Sequence, residues 1–141
     1  MGGVQYFDTS AVVKLLLNEP ESDTALELLL EAPIAVSSAT IHAEGRAAIA
    51  AAHRDRRIDD LARLRAVHRL DYELRQFDLV DVDERLARQA GALADRHRLR
   101  GYDAIHLATA TLVATRTTAV VSWDTELRRA ALEAGLNIAP A

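Results

Sequence analysis

The chain has 141 residues, 17 Lys and Arg against 21 Asp and Glu for a formal net charge of -4, and no cysteine. The missing cysteine excludes disulfides and thiolate metal sites, so any metal must be held by oxygen or imidazole. The acidic balance argues against a pure nucleic-acid clamp, whose phosphate contacts leave a basic footprint, but not against a metal-dependent nuclease, because cations neutralise an acidic site.

The length fits a single domain over residues 1–141, enough to bury roughly two thirds of its unfolded surface in one core. Met1, Gly2 and Gly3 lead straight to Val4 without a basic or apolar leader, and no apolar run approaches membrane-spanning length, so the expectation is a soluble, cytoplasmic protein. Sixteen Arg stand against one Lys, Lys14, a ratio that phosphate recognition and a GC-rich coding sequence explain equally well.

Val4 to Phe7 is a short apolar run that ends at Asp8, and Thr9-Ser10 then opens a buried helix from Ala11 to Leu17: strand, acid, helix. Asn18 to Ser22 breaks the chain, with Ser22 as the expected cap of a helix carrying Ala25, Leu26, Leu28, Leu29 and Leu30, which Pro33 ends. Ile34 to Val36 reads as a second strand. Ser37-Ser38-Ala39-Thr40 then opens an Ala-rich helix through about Arg56, with Glu44 in its early turns. From Arg57 to Gln76, Leu61, Leu64, Val67, Leu70 and Leu74 recur at three and four, the spacing of an amphipathic helix. Asp78 to Asp83 alternates as a third strand, and Asp83 is placed to cap a helix from Glu84 to about Arg98. After Gly101 comes a strongly apolar helix from Ala104 to Val113 with Asp103 at its start. A fourth strand is expected over Ala119 to Ser122, a helix over Asp124 to Ala134 stopped by Gly135, and a short last strand at Asn137-Ile138.

Strands separated by helices imply an α/β fold, a parallel sheet covered on both faces, and in such sheets ligands bind beyond the carboxyl ends of the strands. Asp8, Glu44 and Asp124 fall on that edge by topology. Each has a bland reading: Asp8 and Asp124 suit helix caps, and Asp103 suits a cap or a first-turn acid facing the helix macrodipole. Glu44 is harder to dismiss, because its neighbours at three and four are mostly apolar and no Lys or Arg of its helix stands at pairing distance.

The run Arg100-Gly101-Tyr102-Asp103-Ala104-Ile105-His106-Leu107-Ala108 resembles the motif of PIN-domain ribonucleases, especially VapC-type toxins. The similarity extends to Asp8-Thr9-Ser10-Ala11, the internal Glu44 and Ser122-Trp123-Asp124, so it spans nearly the whole chain. It implies a three-layer PIN-like fold with a short, mostly parallel sheet of four to five strands. It also implies a toxin endoribonuclease that cuts RNA, acts as a homodimer and is blocked by a VapB-like antitoxin. Carried residue by residue, it makes Asp8, Glu44, Asp103 and Asp124 catalytic metal ligands and gives Ser10 a part in positioning metal or water. Trp123 departs from the pattern, where a small residue is more usual.

Four converging carboxylates repel one another and are stabilised by a divalent cation; hard oxygen donors without Cys favour Mg2+ or Mn2+. Such a cation activates water and offsets charge on a phosphodiester transition state. His106, three residues beyond Asp103, has two readings, a ligand or general base against a structural imidazole, and the poor match of imidazole to Mg2+ favours the second. Gly45 signals a close approach, by a helix neighbour or a substrate. The Arg54 to Arg69 stretch is an RNA contact or a solvated face. A phospho-aspartate enzyme is excluded because the sole Lys is Lys14 in the first helix, and a P-loop enzyme because no Gly-rich loop ends in Lys. The competing account is a non-catalytic α/β interaction module whose acids are only helix caps.

Overall fold

The computed structural model describes residues 3–141, so the run-in from Met1 and Gly2 lies outside the described residues. In chain order the elements are β1 Val4–Phe7, α1 Thr9–Leu16, α2 Ser22–Glu31, β2 Ile34–Ser38, α3 Ile41–Arg54, α4 Asp60–Leu74, β3 Phe77–Val80, α5 Glu84–His97, α6 Gly101–Val113, β4 Ala119–Val121, α7 Thr125–Glu133 and β5 Asn137–Ala139. The strands form one five-stranded sheet in the order β3-β2-β1-β4-β5, and every pairing is parallel. The expected α/β architecture is therefore observed, with the sheet parallel throughout.

Because successive side chains of a strand point to opposite faces, β1 seeds two cores. Phe7 faces the layer of α1 to α4, packing with Val12, Ile41, Leu70 and, edge-on, Phe77. Tyr6 faces the layer of α5 to α7, with Leu86, Leu107 and Leu127. Val120 and Val121 of β4 divide in the same way. Both faces of the central strands are closed, which is why these segments read as continuous apolar runs.

Several boundaries differ from the sequence expectation. Ser37 and Ser38 belong to β2, paired with Leu79 and Val80, because the parallel ladder outweighs their local preference for helix starts. The helix α4 begins at Asp60, since Asp59 caps it by accepting the Ala62 N–H at 2.8 Å. Its buried stripe is Ala66, Leu70, Glu73 and Leu74, while Leu61 and Leu64 stay exposed. The strand β3 stops at Val80, leaving Asp83 to cap α5 by accepting the Leu86 N–H. Ser22 does not cap α2; its hydroxyl donates to the Leu17 carbonyl and accepts from the Glu19 N–H, closing the turn ahead of the helix. Gly45 faces α4: an added Cβ would lie 3.0 Å from Leu70 Cδ1, so the close approach is a helix contact. Among the described residues, no helix is long and apolar enough to cross a membrane.

In the strand order, the chain steps from β1 outward through β2 to β3 and then returns to the other side of β1 with β4. The reversal places a crevice between the carboxyl ends of β1 and β4, the usual location of a ligand site in an open α/β sheet.

Candidate active site

A cleft of about 250 Å3 opens at that point, lined by Asp8, Thr9, Ser10, Glu44, Arg100, Tyr102, Asp103, His106 and Asp124. A larger cleft of about 710 Å3 lies at the far end of α1, between Leu16, Leu17 and α4. The smaller one is the candidate for chemistry, because there charged groups from α3, from α6 and its cap residue, and from the turns that follow β1 and β4 converge.

Asp8 follows β1 and is almost wholly buried. Its Oδ1 accepts the Ser10 hydroxyl at 2.7 Å and the Ala11 N–H at 3.0 Å, and its Oδ2 accepts the Ser122 hydroxyl at 2.6 Å. Asp8 is thus both a helix cap and a cleft residue. Burial pushes its carboxyl pKa up, against the lowering pull of His106 and these donors. Ser10 also accepts the Trp123 N–H at 2.8 Å, and Ser122 accepts the Asp124 N–H at 3.0 Å. These bonds lock the ends of β1 and β4 together and carry Asp124 into the cleft. Trp123 packs beside the first core with the Lys14 ammonium 5.2 Å from its ring centroid, so the large residue at this position leaves Asp124 in place.

Glu44 receives a hydroxyl hydrogen bond from Thr40 at 2.8 Å and lies 3.0 Å from His106 Nε2, both on Oε1. Burial alone would raise its pKa, but the hydrogen bond and charge of His106, with the Thr40 hydroxyl, bring it below the usual value. His106, 2% exposed, is held at its other nitrogen by the Tyr6 hydroxyl at 2.6 Å and also meets Thr9 Oγ1 at 3.1 Å. Burial disfavours the imidazolium, yet Glu44, Asp8 and Asp103 together raise the His106 pKa.

Asp103 occupies the first turn of α6 without capping it; Arg100 is the cap residue and no side chain accepts there. Its Oδ2 instead meets Arg100 Nε at 3.2 Å. Burial, then the charge of Asp124, raises its pKa, and Arg100 counters them. Asp124 caps α7 through the Leu127 N–H and reaches Arg100 Nη2 at 3.4 Å.

The PIN domain family profile matches residues 6–133. Ribonuclease VapC49 of Mycobacterium tuberculosis is 38% identical over 136 residues, 96% of this chain and 94% of that protein. The chain belongs to the PIN-domain family, among the VapC-type ribonucleases. Ribonuclease VapC46 of the same organism is 37% identical over 94% of each chain. Solved structures share the fold at lower identity. The VapBC2 complex of Rickettsia felis, bound to a promoter DNA fragment, gives a TM-score of 0.66 at 15% identity, covering 96% of this chain and 97% of that one. FitAcB of Neisseria gonorrhoeae gives 0.64 at 20% identity, covering 96% of each.

In this PIN domain all five residues singled out from sequence, Asp8, Ser10, Glu44, Asp103 and Asp124, line one cleft. The sequence reading missed Arg100 as the counter-ion of two of them, Ser122 as a donor to Asp8, and the pairing of His106 with Glu44. Arg100 and Ser122 open two of the quoted motifs, so the residues themselves were in view and only their partners were not; the His106–Glu44 contact joins residues far apart in sequence and leaves no local signal. The Arg54, Arg56 and Arg57 side chains border a separate cavity with His53, away from the acids.

Proposed function

We propose that this PIN domain is the endoribonuclease toxin of a toxin–antitoxin pair, hydrolysing RNA phosphodiesters with Mg2+ or Mn2+ held by Asp8, Glu44, Asp103 and Asp124. The observation that carries this reading is the convergence of those four carboxylates, from the β1–α1 turn, α3, α6 and the β4–α7 turn, on one cleft at the sheet's switch point. The donor set fits a hard divalent cation: carboxylate oxygens with no thiolate, Asp8 with a pKa raised by burial and Asp103 with one raised by burial and the charge of Asp124, in both cases beyond what their partners offset. Among the described residues no three carboxylate or imidazole groups already form a cage for an ion; each acid is instead satisfied by a protein donor.

When bound, such a cation supplies charge against the phosphodiester and lowers the pKa of water. The protein's own groups supply position. Ser10, Ser122 and the Ala11 N–H fix both oxygens of Asp8. His106, itself oriented by Tyr6, fixes Glu44, much as outer-shell hydrogen bonds orient metal ligands. His106 is therefore a positioning residue in this reading, with both nitrogens engaged by protein.

Family membership supports a VapB-like antitoxin as inhibitor, and the proposal extends to RNA as substrate, a second copy of the chain as a homodimer, and the cytoplasm as location. Support for a partner surface is the exposed apolar set Leu26, Leu30, Leu61, Leu64 and Tyr72 on α2 and α4. The capping account keeps support from Asp8 and Asp124, which do cap helices, but not from Asp103 or Glu44, whose carboxylates bond side chains. Incubating purified protein with single-stranded RNA and Mg2+ or Mn2+, then sequencing the ends, tests the proposal: discrete metal-dependent cuts are expected, and intact RNA would contradict it.

A further inference from the structure

We propose that Arg100 is an exchangeable counter-ion, whose guanidinium bridges Asp103 and Asp124 in the metal-free protein and must leave when a divalent cation binds that pair. The inference rests on the metal-site reading above. Arg100 is the only Lys or Arg that lines the acidic cleft among the described residues. Its Nε and Nη2 both approach Asp103 Oδ2 at 3.2 Å, and Nη2 also reaches Asp124 Oδ2 at 3.4 Å. One arginine thus occupies an oxygen of each of two proposed ligands.

The arrangement is built to be released. Both nitrogens share one oxygen of Asp103, where a strong arginine–carboxylate pair would use two, and the distances exceed the 2.7–2.9 Å typical of charge-assisted bonds. The arginine side chain is 80% exposed while that of Asp103 is 11% exposed, so the base is free to swing outward while the acid stays fixed. Its backbone sits at the start of α6, anchored outside the helix proper, and among the described residues the guanidinium hydrogen-bonds only Asp103 and Asp124, with Glu126 adding a weaker charge attraction. A cation arriving from solvent therefore meets a mobile monovalent competitor at the Asp103–Asp124 edge, whereas Asp8 and Glu44 are held by neutral hydroxyls and His106. Competition of this kind lowers apparent affinity by the fraction of protein in which the pair is free.

The test titrates Mn2+ alone into full-length wild type, Arg100→Gln and Arg98→Gln, by calorimetry and by the fluorescence of Trp123, which neighbours Asp124. Arg98 lines the adjoining cavity with Arg100 but makes no hydrogen bond or ion pair to the acids, so it reports the general effect of losing one nearby positive charge. Arg100→Gln is expected to bind Mn2+ about two- to five-fold more tightly than wild type, the range that exposed ion pairs support, with Arg98→Gln close to wild type. Equal or weaker Mn2+ binding by Arg100→Gln overturns the proposal, as does an equal gain in Arg98→Gln, which would reduce the effect to net charge. Failure of folded wild type to bind Mn2+ at all would instead remove the metal site itself, and this inference with it.

Discussion

Replacing His106 with Phe isolates the contact that joins the two layers at the cleft. The imidazole links Tyr6 of β1, Thr9 of α1 and Glu44 of α3 to α6, and Phe preserves much of its ring volume. Two losses follow. The fully buried Tyr6 hydroxyl is stripped of a 2.6 Å partner, worth about 1–3 kcal/mol, and Glu44 loses a hydrogen bond of similar size, although Thr40 still serves it. A net destabilisation of about 2–4 kcal/mol is expected, or roughly 6–12 °C in Tm for a chain of this length. Urea unfolding followed by Trp123 fluorescence measures it, and a double-mutant cycle with Tyr6→Phe should show a coupling of about 1 kcal/mol or more. The pH dependence adds a sign. The raised His106 pKa gives stability that is complete below the ordinary value near 6.5 and fades as pH rises through the folded value, while the lowered Glu44 pKa gives stability present above about 4.3 and lost as pH falls through its folded value. The difference between wild type and His106→Phe should therefore peak between about pH 4.3 and 6.5. A loss below about 0.5 kcal/mol, or additivity with Tyr6→Phe, would refute the reasoning.

Asp103→Asn sacrifices a dipole interaction of about 0.3–1 kcal/mol but relieves burial and repulsion from Asp124, so the metal-free Tm should stay within about 3 °C of wild type. Its thermal response to saturating Mn2+ should fall below half that of wild type, where about 2.7 kcal/mol is available at a hundred times Kd; a full response would remove Asp103 from the ligand set. Ser122→Ala withdraws the 2.6 Å donor from the buried Asp8 carboxylate and should cost about 1.5–3 kcal/mol at pH 7, with the Asp8 pKa rising further; unchanged stability by denaturant titration would contradict this. Gly45→Ala drives a methyl to 3.0 Å from the packed Leu70 and should lower Tm, whereas Gly91→Ala, whose methyl would meet nothing within 4 Å beyond its own helix, should raise it through about 1 kcal/mol of helix propensity. The opposite order in a melting experiment would mean that Leu70 yields freely.

Much of this arrangement is legible locally. The alternation of short apolar runs with helices gives the parallel sheet, and the sheet's handed connections put Asp8, Glu44 and Asp124 on one edge before any side chain is placed. Capping and cleft roles also prove compatible, since Asp8 presents one carboxylate to both the Ala11 N–H and the cleft. What is not legible depends on packing between distant segments. The partner that Glu44 demands stands on α6, beyond any helix-spacing rule. Ser37 and Ser38 look like helix starters until β3 pairs with them. Leu61 and Leu64 satisfy an apolar spacing whose buried side is chosen only when α4 lies against Gly45 and α1. The chain gives no local warning that Arg100 will reach across to Asp124, because that pair forms only once β4 ends beside β1.

Whether the converging acids hold a divalent cation for RNA hydrolysis is decided by cleavage of single-stranded RNA by purified wild type and Asp8→Asn across a Mg2+ and Mn2+ titration. Asn keeps the cap to the Ala11 N–H, so Asp8→Asn should fold. Cleavage by wild type that rises with metal, stops with EDTA and is absent in folded Asp8→Asn is the predicted result. Cleavage that persists without divalent metal, or that Asp8→Asn performs at the wild-type rate, would contradict the account.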